Sequence, residues 1–192
     1  MSTFIVESPA IMLDIETLAC SPDACIVSIG AVFFDKLGKD FHVIATDYHG
    51  ISINDNIKHG RRIEESTLQF WFKQEKVTIE STMFGKEKLR SALSDFYDWV
   101  VGIQLNYGVP EIWANGVVFD IGILENAFMN EELFLPWPYH TIRDLRTAEN
   151  IKKDIADEIF SEIKNDNFHN ALSDAKYQAE LLYKIINYGE IL

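Results

Sequence analysis

The sequence predicts an α/β fold. It would be a mixed five-stranded sheet, three antiparallel strands and then two parallel ones, with helices on both faces, in a single domain over residues 1–192. Three observations predict it. Up to Tyr48 the chain holds three runs rich in β-branched and aromatic residues, separated by turn residues. From Glu65 onward, stretches with helical apolar spacing alternate with short strand-like runs. A length of 192 residues, 47% apolar and 24% charged, suits one sizeable core and would be cramped as two.

Taken in order, Ile11, Met12 and Leu13 are apolar at consecutive positions, as in a central strand covered on both faces, and the run ends in Asp14-Ile15-Glu16. Ala24–Asp35 (ACIVSIGAVFFD) forms a second strand. After a Lys36-Leu37-Gly38-Lys39 turn, Phe41–Tyr48 (FHVIATDY) forms a third, which completes an antiparallel meander. Residues 51–63 lack a clear period and read as loop. Glu65–Gln74 (ESTLQFWFKQ) reads as a helix with Ser66 as its cap. From Lys86 to about Leu105, the recurrence of Leu89, Leu93, Phe96, Val100 and Ile103 marks a long amphipathic helix packing on the sheet. Glu111–Ala114 (EIWA) is a short fourth strand, Asn115-Gly116 turns the chain, and Asp120–Met129 is helical through Ile123, Leu124 and Phe128. Beyond the stiff Pro136-Trp137-Pro138 link, Tyr139–Ile142 is the candidate fifth strand. Leu145 to about Ile163 gives helix in one or two pieces, and Asn170 to Asn187 gives the last helix, with Leu172, Ala175, Ala179, Leu182 and Ile186 on one face.

No stretch approaches the length of a membrane span, and Glu7 and Pro9 interrupt the N-terminal segment where a signal sequence would be apolar. The expectation is a soluble cytoplasmic protein without a membrane partner. Cys20 and Cys25, the only cysteines, flank a Ser21-Pro22-Asp23 turn and read as free thiols. A net charge of −13 argues against a broad phosphate-binding surface. The charge is uneven, however. Residues 58–90 hold eight cations, Arg61 and Arg62 among them, against five anions, so this island is the expected place for strand contacts.

Three acidic segments carry the chemistry. Side chains two apart on a strand share a face, so Asp14 and Glu16 stand together at the rim of a buried strand. Like charges so placed are unfavourable unless a cation neutralises them, and hard oxygen ligands favour Mg²⁺ or Mn²⁺. Asp120 follows the fourth strand, where α/β sheets place chemistry, although an aspartate at that position can equally be a helix cap. His169 leads into the last helix, with Asp174 five positions on; taken singly, each also reads as an ordinary surface residue.

Together, DIETLACSPDACIVSIGAVFFD, WANGVVFD and HNALSDAKYQAELL resemble, in order and residue type, the three motifs of the DnaQ-like (DEDD) 3′–5′ exonuclease superfamily. The histidine five residues before the last aspartate is that of the DEDDh branch. TLQFWFKQ and YHTIRDLRT are similar to the subgroup of exonuclease VIII-like and DexA-like phage and bacterial nucleases and a mycobacterial exoribonuclease domain. The resemblance implies a ribonuclease H-like fold. It also implies two Mg²⁺ or Mn²⁺ ions, one held by Asp14, Glu16 and Asp174 and a second by Asp14 and Asp120, with His169 as general base. The implied activity is release of nucleoside 5′-monophosphates from the 3′ end of single-stranded DNA or RNA; which of the two is left open. It further suggests that Leu18 and Phe119 pack against the terminal nucleotide. The oligomeric state is left open: dimers are common among small members of the superfamily, and exposed parts of Trp71, Trp99 and Trp137 are the candidate interface for a homodimer.

Other substrate contacts have two readings each. Trp71 either stacks on a base or packs helix to sheet; Arg143 and Arg146 either meet phosphates or, for Arg143, pair with a structural carboxylate; Asn115 reads as a turn residue. The rival to an enzyme is a catalytically idle ribonuclease H-like module that binds nucleic acid or a protein. Retention of all five motif residues favours the enzyme.

Overall fold

The computed structural model describes residues 6–164 and 168–188. Strands β1 (Pro9–Thr17), β2 (Ile26–Asp35) and β3 (Val43–Gly50) form the meander. Helices α1 (Ile53–Lys58), α2 (Glu65–Trp71), α3 (Lys76–Thr82) and α4 (Leu89–Tyr107) follow, then β4 (Glu111–Ala114) and α5 (Asp120–Asn130). The chain ends through β5 (Ile142–Asp144), α6 (Leu145–Ile151), α7 (Lys153–Glu162) and α8 (Ala171–Ile186). The sheet order is β3-β2-β1-β4-β5, with β1–β4 and β4–β5 parallel, which is the mixed sheet the sequence predicts.

Alternation along β1 divides the core. Ile11, Leu13 and Ile15 face α4 and α5, meeting Leu93, Phe96, Val100, Leu124 and Phe128. Ala10 and Met12 face α7 and α8, meeting Ile159, Ala175, Ala179 and Leu182. Asp14 and Glu16 continue the second set, so they point toward α8. A smaller cluster of Leu18, Cys25, Val27 and Trp71 closes the end of β1. No helix among the described residues is long and apolar enough to cross a membrane.

Three local expectations are corrected, and one unanticipated helix, α3, is added. The stretch read as loop contains α1: Ser52 caps it by accepting from the Asp55 N–H, and buried Asn56 exchanges hydrogen bonds with the Ile26 backbone. A six-residue helix held by one cap and one distant strand has too few apolar positions to show a period. For the same reason α3 left no signal. Ser66 lies in the first turn of α2, where Glu64 is the cap residue and supplies no side-chain bond. The fifth strand begins at Ile142, because the Thr141 N–H and hydroxyl both donate to the Pro138 carbonyl and curl residues 139–141 into a 3₁₀ turn.

Gly30, mid-strand in β2 and opposite Asp14, is where α8 reaches the sheet. A Cβ there would lie 2.2 Å from the Leu172 nitrogen and 2.3 Å from the Ala171 carbonyl carbon, both backbone atoms that cannot rotate away. Gly30→Ala is therefore expected to push the start of α8 off β2. Overpacking of this kind costs ~1–3 kcal/mol or more, equivalent to a loss of several degrees in Tm for a chain of this size. Any activity that depends on His169 and Asp174 should fall further than stability, because both ride on the displaced segment. A thermal melt and a rate measurement on the variant check both.

Candidate active site

Four carboxylates and one histidine from three separate segments converge at the C-terminal end of β1. Beyond Met12, β1 no longer pairs with β4, and the Ile15 N–H that would be left unbonded donates to Asp120 Oδ1 at 3.2 Å. Asp120 is the first residue of α5, with Phe119 in the cap position, so its carboxylate serves β1 and the site and does not cap its own helix. From α8, Gln178 Nε2 donates to Asp14 Oδ1 at 2.9 Å, and ligand atoms of Glu16, His169 and Asp174 lie within 4.8 Å of one another. All five motif residues line one cleft of about 310 Å³, together with Asn115, Phe119, Arg146, Glu149, Tyr177 and Gln178.

His169 is held through its peptide and through the faces and edges of its ring. Its backbone has φ of 64°, a left-handed conformation uncommon outside glycine. Two partners fix that conformation: the His169 N–H donates to Asp174 Oδ2 (2.9 Å), and its carbonyl accepts from the Thr82 hydroxyl at the end of α3 (2.8 Å). The imidazole meets Phe70 edge-on at 5.1 Å and Trp71 at 6.1 Å between ring centroids. Asn170 then caps α8 by accepting from the Ser173 N–H.

The electrostatics are unfavourable for an ion-free site. Burial, followed by repulsion from Asp120, Glu16 and Asp174, raises the Asp14 carboxyl well above its usual range, against which only the Gln178 bond acts. Glu16 is pushed up to about 8 by burial and by Asp174 and Asp120. Asp120 rises to about 7 through burial, which outweighs its backbone hydrogen bonds and the nearby Arg146. A native state whose acids have raised pKa values binds more protons than the unfolded chain, so stability falls as pH climbs from the unfolded values of about 4 through about 7 and about 8. His49 adds to the same trend. Burial alone would depress it, but hydrogen bonds to Asp47 and Glu87 lift it to about 9, so its stabilisation is complete below about 6.5 and lost by about 9. The Tm of EDTA-treated protein should therefore decline from about pH 5 to about pH 8.5, and Glu16→Gln should flatten that decline below about pH 8. A Tm that rises over this range would contradict the repulsion.

The substrate-contact residues fall differently. Phe119 borders the main cleft and two adjoining grooves, one beside Thr17, Phe70 and Trp71 and the other beside Val118 and Arg146. Trp71 is 3% exposed, and its indole N–H donates to the Thr17 carbonyl at 2.9 Å; this is helix-to-strand packing that also walls the first groove. Leu18 is 2% exposed, beneath the surface with Cys25 and Val27. Arg143 takes up its salt-bridge alternative, with Nε 3.4 Å from Glu111 and Nη1 donating to the His140 and Ile142 carbonyls. The guanidinium in the cleft is that of Arg146. Arg61, expected in a phosphate-binding island, is buried; it bonds Ala24, Pro22 and Ile123 carbonyls and Asn126, tying the turn after α1 to the β1–β2 connection and to α5. Trp71 and Trp137 are both buried and offer no dimer surface, while Trp99 stacks on Phe96.

Comparison with known proteins decides the family. The 3′–5′ exoribonuclease Rv2179c-like domain matches residues 9–186. The chain belongs to this family of 3′–5′ exonucleases. No curated protein matches the sequence. Among solved structures, this Rv2179c-like domain shares its ribonuclease H-like fold with cell-death related nuclease 4 (CRN-4), at 14% identity and TM-score 0.68, covering 96% of this chain and 66% of that one. It is likewise similar to Pop2p of S. pombe in its Mg²⁺- and Mn²⁺-bound form, at 18% identity and TM-score 0.60, covering 96% and 85%. The nuclease domain of 3′hExo, a DEDDh family member bound to rAMP, matches at 12% identity and TM-score 0.61, covering 100% and 97%.

The sequence missed three residues that serve the Rv2179c-like site. Gln178 sits one helical turn after Asp174, a spacing that places both on one helix face, and this was legible. Gly30 was signalled only as an isolated glycine within a strand. Thr82 left no signal, since it meets His169 across 87 residues.

Proposed function

We propose that the protein releases nucleoside 5′-monophosphates from the 3′ end of single-stranded RNA or DNA, with Asp14, Glu16, Asp120 and Asp174 holding two divalent cations and His169 as general base. The observation that carries this reading is the convergence of those five residues in one cleft, with Asp14, Glu16 and Asp120 too crowded to ionise together without a counter-charge. The donor set fits the cations: the carboxylate oxygens are hard ligands suited to Mg²⁺ or Mn²⁺. Pop2p with both metals and 3′hExo with rAMP support it from the same fold.

When bound, two such ions supply the positive charge that stabilises the attacking and leaving oxygens of an in-line displacement. The protein's own residues do the rest. His169, fixed through its peptide by Thr82 and Asp174, accepts the proton of the attacking water. The water oxygen bonds to phosphorus, the P–O3′ bond breaks, and the departing O3′ takes a proton from solvent, so the shortened strand ends in a 3′-hydroxyl and the released nucleotide carries the 5′-phosphate. Gln178 orients Asp14, and Phe119 packs against the terminal nucleotide at the mouth of the groove beside Phe70.

End-labelled single-stranded RNA and DNA oligomers incubated with Mg²⁺, Mn²⁺ or EDTA test the reading. Metal-dependent shortening from the 3′ end with 5′-monophosphate products is expected. No shortening of either polymer in either metal would leave the idle binding module standing.

A further inference from the structure

One cation in the cleft makes no salt bridge among the described residues, although Asp120 and Glu149 lie close enough to feel its charge. Arg146, the second residue of α6, donates from Nε to Asn115 Oδ1 at 3.1 Å. Its guanidinium lies beside Gly116, where an added Cβ would come within 3.4 Å of Cζ and Nη1; Gly116 itself turns the chain with φ of 113°. One edge of the fork is thus anchored by Asn115, and the absent side chain of Gly116 leaves room beside it. The remaining amines, Nη1 and Nη2, meet no hydrogen-bond acceptor and no ion-pair partner among the described residues. A planar guanidinium fixed on one edge and open on the other is suited to grip two oxygens of a phosphate.

Its position within the cleft says which phosphate. Glu16, His169 and Asp174 form one cluster. The Asp120 N–H donates to the Gly116 carbonyl at 3.3 Å, and the Arg146 guanidinium lies beside Gly116, so Arg146 is on the Asp120 side. Past it the surface continues into a groove lined by Gly116, Val117, Val118 and Phe119. An in-line displacement sets attacking and leaving oxygens on opposite sides of phosphorus. With His169 marking the attacking side, the 3′-oxygen of the departing strand falls toward Asp120, and the next phosphate lies beyond it. We propose that Arg146, braced by Asn115 and Gly116, binds the phosphate immediately 5′ of the scissile one and holds the leaving strand. This assignment rests on the exonuclease reading above, with His169 as base.

Two substrates separate the cases: a dinucleoside monophosphate has only the scissile phosphate, whereas a trinucleoside diphosphate has one more. The ratio of kcat/KM for trimer over dimer, measured with Mn²⁺, should fall about 10- to 100-fold in Arg146→Gln, the range expected for losing a hydrogen bond to a charged group. Arg146→Lys, which keeps charge without the fork, should fall between the two. The salt-dependence slope for binding the trimer, with Ca²⁺ in place of Mn²⁺, should shrink by ~0.7, one single-strand phosphate contact. An equal loss on dimer and trimer, or no loss on either, overturns the assignment while leaving the nuclease intact. Failure of the unmodified protein to cleave either substrate overturns the exonuclease reading and this assignment with it. Arg146 is exposed on its helix, so both variants should melt like the parent.

Discussion

Asp14→Asn is expected to abolish hydrolysis while leaving the metal-free protein as stable as the parent, or more so. Asp14 stands at the centre of the cluster, with burial and three neighbouring carboxylates opposing its charge. Replacing the carboxylate by an amide of the same shape removes that opposition. The oxygen of the new amide can still accept from Gln178, so packing against α8 is kept. The same change removes the residue assigned to both cations. Losing one preorganised group that stabilises transition-state charge already costs ~10²–10³ in rate, and loss of a shared ligand should exceed that, taking the rate down by more than about 10³. Melts with and without Mn²⁺ give the second readout. Mass action should raise the parent's Tm as Mn²⁺ is added and raise the variant's much less. Parent-like activity in Asp14→Asn would remove Asp14 from the reaction.

The second large effect is expected at His169, where binding and rate should part company. Removing a general base typically costs ~10²–10⁴, but the carboxylates assigned to the cations remain. His169→Asn is the preferred replacement, because asparagine tolerates the left-handed backbone that Thr82 and Asp174 impose, whereas alanine adds strain. The variant should show Mn²⁺-dependent thermal stabilisation close to the parent's and a rate lower by at least ~10². Its residual activity should move toward higher pH, where hydroxide replaces the assisted water. Equal rates at neutral pH would exclude His169 as the base. Loss of the Mn²⁺ response together with the rate would make it a ligand instead.

Much of this protein could be read along the chain, because local spacing encodes which face a residue occupies. Period two in β1 set Ile11, Leu13 and Ile15 against Asp14 and Glu16, and helical spacing found α4, α5 and α8. Five acidic and imidazole groups in a recognisable order pointed to one centre before any contact was visible, since their chemistry is carried by residue type. Tertiary structure decided which side chain meets which across the sheet. Arg61 and Arg146 are both arginines beside turns, yet one is buried against three carbonyls and the other lies open in the cleft. Nothing local distinguishes them, because the difference lies in what α1 and α6 pack against. The same holds for Trp71, whose indole bonds to the end of β1, and for Gly30, whose missing side chain lets α8 close on Asp14. Local periodicity is a property of one segment, whereas burial, hydrogen-bond partners and close backbone approach are properties of pairs of segments, and these form only when the chain is packed.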